Sequence, residues 1–141
     1  MSLIGLLITR DDEAIVGTWC THQLDLYDAV VCLDGSSTDA TERIASEHSS
    51  RLIYYHERRF SIPHKTDHGL RRIIHNTIID RFGHGHWIMC CHANEFCYHS
   101  PRKIAELADR NGYDLVSWYS PHFYPHPAEL PLARCELVQS L

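Results

Sequence analysis

Two hydrophobic rhythms alternate along the chain, one of short unbroken apolar runs and one of helical stripes. Leu3 to Thr9 is a run of the first kind, the pattern of a strand buried on both faces. Arg10-Asp11-Asp12-Glu13 follows, and acidic residues there suit a helix N-terminus through the helix dipole. Ile15, Val16, Trp19, Cys20 and Leu24 then mark one helical face. Ala29 to Leu33 reads as a second buried strand. It ends in Asp34-Gly35-Ser36-Ser37-Thr38-Asp39-Ala40-Thr41, a loop rich in glycine and hydroxyls. Asp39, three residues before Glu42, has the spacing of a capping arrangement opening the next helix. Arg51 to His56 gives a third strand, and the polar stretch Glu57 to His68, with Pro63 inside it, reads as a surface loop. Leu70, Ile73, Ile74, Thr77 and Ile78 form a helical stripe that Gly83 to Gly85 breaks before a fourth strand, Trp87 to Cys91. Ser100-Pro101 opens a further helix, serine as cap and proline at the first position, and Gly112 stops it. Asp114 to Tyr119 is expected to be a fifth strand. Pro121, Pro125, Pro127 and Pro131 make the stretch beyond it irregular.

Strand and helix thus alternate at least three times. That order predicts an α/β fold: a single three-layer domain with a mostly parallel sheet covered by helices. Ligands in such folds sit beyond the carboxyl ends of the strands. Here those ends carry Thr9 to Asp12, Asp34 to Asp39, and His92 to Glu95, three polar clusters expected to converge on one edge.

Bulk properties narrow the functional classes. The 141 residues suffice for one domain with one core. A formal net charge of -5 argues against broad binding to a nucleic-acid backbone. No apolar run approaches the length of a membrane span, and no basic region precedes a long apolar stretch at the N-terminus, so a cytoplasmic location is the default expectation. The six cysteines form no Cys-x-x-Cys pair and read as reduced, partly buried thiols. Twelve histidines make the net charge depend on pH.

The most specific chemical signal is the segment from Asp34 to Thr41. A carboxylate at a strand end can accept hydrogen bonds from a base imide or a ribose hydroxyl, and the turn after it offers backbone N–H groups. The segment resembles the DNGSTDGT stretch that ends the second strand in family 2 glycosyltransferases of the GT-A fold. Asp12-Glu13 stands where that family has Asn-Glu after its first strand, and Trp19 and His22 resemble the helix that follows in one of its branches. The resemblance covers about Leu3 to Tyr119. It implies that Thr9 and Asp11 border the base, that Asp34 binds the nucleoside, and that Glu13 and Asp39 support the pocket.

The family's second hallmark is an Asp-x-Asp after the fourth strand, whose carboxylates hold Mn²⁺ or Mg²⁺ against the donor diphosphate. His92-Ala93-Asn94-Glu95-Phe96 stands in that place, with both aspartates replaced. Loss of two hard oxygen ligands weakens such a site, yet imidazole, the Asn94 carbonyl and the Glu95 carboxylate remain available to Mn²⁺. Two readings stay open: a retained cation on His92, Asn94 and Glu95, or a site given up. Lys65, Arg71 and Arg72 precede the fourth strand, where the family often places a basic residue near the diphosphate. A zinc site on Cys90, Cys91, His92, Cys97 and His99 lacks the usual ligand spacing.

Rival classes fit less well. A phospho-receiver domain needs an aspartate after the third strand, where His56 stands, and a lysine after the fifth. A dinucleotide fold needs G-x-G-x-x-G after the first strand, and no glycine lies between Gly5 and Gly17. The expected organisation is a nucleotide-sugar-binding domain over residues 1–120 and an irregular proline-rich tail over 121–141 that leads to a missing or reduced acceptor region. The resemblance implies transfer of a sugar from a nucleotide-diphosphate donor to an acceptor hydroxyl. The acceptor, the catalytic base and homo-oligomerisation are left unassigned. The alternative is a non-catalytic binding or scaffold module on the same fold.

Overall fold

A computed structural model describes residues 2–48, 52–56 and 67–117. The elements run β1 (Leu3–Thr9), α1 (Val16–Gln23), a 3₁₀ turn (Leu24–Leu26), β2 (Ala29–Asp34), α2 (Thr41–His48), β3 (Leu52–His56), α3 (Asp67–Phe82), β4 (Trp87–His92) and α4 (Pro101–Arg110). The four strands form one sheet in the order β3-β2-β1-β4, and every pairing is parallel. The α/β class and the parallel sheet are therefore as the sequence predicts.

Parallel strands must be covered on both faces, and the residues of β1 show how. Ile4 and Leu6 point to one side, where they form a buried cluster with Val31 and Leu33 of β2 and Ile78 of α3. On the other side a side chain at Gly5 would stand 3.1 Å from both Tyr27 Cγ and Val30 Cγ2. Glycine there lets the Tyr27 ring lie close against the strand. Tyr27 in turn stacks on Trp19 of α1, ring centroids 6.3 Å apart, and its hydroxyl donates to Met89 Sδ of β4 at 3.3 Å. Gly17 of α1 faces Ile44 and His48 of α2. So α1 and α2 cover one face and α3 the other.

Five cysteines lie among the described residues, and none is in a disulfide. Burial pushes the Cys20 thiol up to about 11, and Cys32 and Cys91 well above the ordinary thiol value. These groups stay protonated near neutral pH and fill space as small apolar side chains. No helix among the described residues is long and apolar enough to cross a membrane.

The chain divides into two compact units, Met1–Cys97 and Tyr98–Leu141. In the second, Ser100 Oγ accepts from Lys103 N at 3.5 Å to open α4. Gly112, at φ +69°, closes it with the paired bonds of a Schellman motif, Tyr113 N to Ala108 O and Gly112 N to Asp109 O. The expected fifth strand is not formed over residues 114–117, where Leu115 is 83% exposed. Apolar residues alone do not make a strand, which also needs a partner to take its backbone hydrogen bonds. Trp118, Tyr119 and the proline-rich stretch lie outside the described residues.

Candidate functional site

The register brings the expected clusters to one edge. Thr9, the last residue of β1, pairs with Asp34, the last of β2, and Ile8 pairs with His92, the last of β4. With neighbouring strands about 4.8 Å apart, the three ends span roughly 10 Å. The chain moves from β1 to β2 on one side and returns through α3 to β4 on the other. The strand order thus reverses at β1, the kind of point where open parallel sheets leave a crevice beyond their carboxyl ends.

On the β1–β2 side, the two strand-to-helix loops are tied together residue by residue. Asp11 N donates to Ser37 Oγ at 2.9 Å, and Thr38 N donates back to Asp11 Oδ1 at 2.8 Å. Glu13 N donates to Asp39 Oδ2 at 3.1 Å, and Ala40 N donates back to Glu13 Oε2 at 3.0 Å. Between them Asp12 N donates to Thr41 Oγ1 at 2.8 Å, while Asp12 Oδ2 accepts from Thr9 Oγ1 at 2.8 Å. Each loop holds one residue in the left-handed region, Asp11 at φ +50° and Ser36 at φ +68°. Such conformations cost about 1 kcal/mol or more each and persist only where surrounding contacts enforce them, as these reciprocal bonds do.

Asp34 lies at the centre of this arrangement and is fully buried. Its Oδ1 accepts from Ser37 N at 2.8 Å and Ser37 Oγ at 2.6 Å, and its Oδ2 accepts from the Tyr54 hydroxyl at 2.6 Å. Tyr54 belongs to β3, where it pairs with Cys32 and so shares a face with Asp34 two residues on. Burial, followed by the bond to Asp34, raises the Tyr54 phenol far above its usual range, so the hydroxyl remains a donor.

The acidic residues Asp11 to Glu13 lie just ahead of α1, whose first turn itself holds no acidic residue. Ile15 N and Val16 N both donate to Asp12 O, so Asp12 to Ile15 form a lead-in turn. Capping at α2 also differs from the expected Asp39–Glu42 arrangement. Asp39 Oδ1 accepts from Thr41 N at 3.0 Å and Thr41 Oγ1 at 2.5 Å, and the partner of Ala40 N is Glu13 from the other loop. A tertiary contact thus adds to the local Asp39–Thr41 cap.

One pH dependence follows. Burial works upward on the Asp39 carboxyl, but the hydrogen bonds from the Thr41 hydroxyl and from the Thr41 and Glu13 N–H groups outweigh it and hold it below its ordinary 3.8. A depressed carboxyl contributes stability above its unfolded value and loses it as pH falls through the folded one. The loop pair is therefore expected to hold at neutral pH and to loosen at pH below about 4. In an NMR titration the Glu13 and Thr41 amide signals should move together below that pH, and should not do so in Asp39→Asn. Titration of both amides at or above the ordinary aspartate value would contradict it.

The β4 end is fixed by α1. The buried Trp19 donates its indole N–H to Glu95 O at 3.0 Å, and the buried Gln23 accepts from Cys97 N at 3.0 Å. His92, Asn94 and Glu95 lie in a tight turn, in which Glu95 N donates to His92 O at 3.0 Å and Glu95 Oε2 accepts from His92 N at 2.8 Å. Arg71 and Arg72 fall in the first half of α3, which starts from the carboxyl edge because it leads back to β4. Lys65 lies outside the described residues. Among the described residues no group of three or more His, Cys, Asp or Glu side chains is placed to hold a metal. The donor set is poor in hard oxygen, with one imidazole, one amide and a single carboxylate whose Oε2 also accepts from His92 N.

The chemistry of the edge is lopsided. Asp11, Asp12, Glu13, Asp34 and Asp39 cluster around β1 and β2. Arg10 makes an exposed 3.8 Å pair with Asp11, too loose and solvated to offset them. The N–H groups of Asp12, Glu13, Ala40 and Thr41 already have side-chain acceptors. The excess of carboxylates disfavours a phosphate beside these two loops. Of the expected residues, Thr9, Asp11, Glu13, Asp34 and Asp39 are brought into one network. Ser37 and Thr41 come from the Asp34 to Thr41 motif, whereas Tyr54 and Gln23 belong to the site without having been singled out from the sequence. Strand parity between Cys32 and Tyr54 is the signal that would have found Tyr54. Comparison with known protein families and with curated proteins finds no match to this chain.

Proposed function

We propose that the chain binds a nucleoside diphosphate sugar, as the donor-binding part of a glycosyltransferase of the GT-A type. The observation that carries this reading is the cluster of Thr9 with the carboxylates Asp11, Asp34 and Asp39 at the carboxyl end of two paired parallel strands, beside a strand-order reversal. The nucleoside, with its N–H and O–H groups, suits the β1–β2 side. The diphosphate belongs away from those carboxylates, toward the end of β4 and the arginines at positions 71 and 72 of α3. On this reading binding does not require Mn²⁺ or Mg²⁺, since the turn at His92, Asn94 and Glu95 offers a single carboxylate. The same turn favours a second reading, a nucleotide-binding module that does not catalyse transfer.

A thermal-shift panel of uridine, guanosine, adenosine, cytidine and thymidine diphosphates, with and without Mn²⁺, tests the proposal. At a hundredfold excess over Kd a ligand stabilises by about 2.7 kcal/mol, several degrees in Tm. At least one nucleotide should produce that shift, and Mn²⁺ should not enlarge it. Asn94→Asp should make the shift respond to Mn²⁺. A panel without any shift removes the nucleotide reading. Release of sugar from a bound nucleotide sugar distinguishes a transferase from a binding module.

A further inference from the structure

Asp34 presents an obstacle to its own ligand. It is fully buried, and the hydrogen-bonding position on Oδ2 that a nucleoside donor would use is filled by the Tyr54 hydroxyl at 2.6 Å. Oδ1 is turned inward to the Ser37 N–H and hydroxyl, which close the loop after β2. Tyr54 differs from these inner partners in two respects. It comes from β3, an outer strand of the described sheet, and it is only half-buried. The Ser37 bonds lie three residues along the same chain and are part of the turn itself.

From this geometry we infer that Tyr54 is a gating residue that competes with the nucleoside for Asp34, so that ligand entry exchanges the phenol O–H for a donor on the ligand. The inference rests on the nucleotide-binding reading above. It assigns Tyr54 a role in setting affinity. The exchange replaces one hydrogen bond to a carboxylate by another, so the bond to Tyr54 weakens nucleotide binding in the native protein. The phenol stays protonated and competes throughout the neutral range. A ligand donor that must displace a charge-assisted hydrogen bond forfeits about a factor of ten or more in affinity.

Isothermal calorimetry of uridine diphosphate and guanosine diphosphate on the wild type, Tyr54→Phe and Asp34→Asn tests the exchange. Tyr54→Phe keeps the ring and removes only the hydroxyl, and is expected to bind about tenfold tighter. Asp34→Asn is expected to bind more weakly than wild type. In wild-type protein carrying ¹³C-labelled tyrosine, the Tyr54 Cζ resonance should shift on saturation, which holds even where the phenylalanine variant folds poorly. Wild-type binding combined with equal or weaker binding by Tyr54→Phe, or with an unmoved Tyr54 resonance, overturns the gate and leaves the nucleotide reading standing. Failure of both nucleotides to bind wild type and Tyr54→Phe alike overturns the gate together with that reading.

Discussion

Asp34→Ala is expected to remove nucleotide binding and also to destabilise the first unit of the fold. The carboxylate receives the Ser37 N–H, the Ser37 hydroxyl and the Tyr54 hydroxyl, all within 2.8 Å. Alanine leaves those donors facing a small buried space, and each orphaned donor costs about 1–3 kcal/mol before any relaxation. A loss of about 3 kcal/mol is the expected outcome, seen as a drop of roughly 10 °C in Tm for a chain of this size. The change should also free the Gly35 to Ala40 loop from its turn and so disturb its bonds to Asp11 and Glu13. Asp34→Asn separates the two effects, because the amide oxygen still accepts at one position while the charge is gone. If Asp34→Ala melted like wild type, the bonding described around Asp34 would be wrong.

Trp19→Ala is expected to have the largest effect on stability. The side chain is fully buried, stacks on Tyr27, and gives its indole N–H to Glu95 O at 3.0 Å. Truncating a buried tryptophan costs about 3–5 kcal/mol, a large share of a domain's total stability. Urea unfolding measures that loss directly. Trp19→Phe keeps most of the packing and loses the hydrogen bond, so its cost should be smaller, with faster amide exchange at Glu95 to Cys97. Equal exchange in the phenylalanine variant and wild type would show that α1 does not hold the β4 turn.

The parallel sheet was legible because its strands are buried on both faces and read as plain apolar runs. Leu3 to Thr9 is matched residue for residue, while β2 and β4 each extend one polar residue further, to Asp34 and His92. Those added residues are the ones that matter at the edge, and a hydrophobicity pattern ends just before them. The helix stop at Gly112 was legible because a left-handed cap is a local requirement. The stretch after it looked like a strand from Leu115 and Val116, but strand formation depends on a partner that local sequence does not specify.

At the site, the motif residues were visible and their partners were not. The bonds between the two loops join residues 26–29 apart, and Tyr54 meets Asp34 across a strand pairing. Trp19 was noticed as part of a motif, but its task of holding the turn 76 residues on depends on where α1 packs. The acidic Asp11 to Glu13 segment read as a helix start. In the structure it serves a neighbouring loop, a case of tertiary bonding overriding a local preference.

On the proposed reading a nucleoside docks at the carboxyl edge of β2, β1 and β4. Mapping backbone amide shifts of the isotope-labelled protein during titration with uridine and guanosine diphosphates tests it most directly. Shifts are expected to concentrate at residues 9–13 and 34–41, with a second group at 92–97 where the diphosphate would lie. Saturating nucleotide that leaves these amides unmoved, or that moves instead the opposite edge around Ser2, Asp28 and Trp87, would contradict the account.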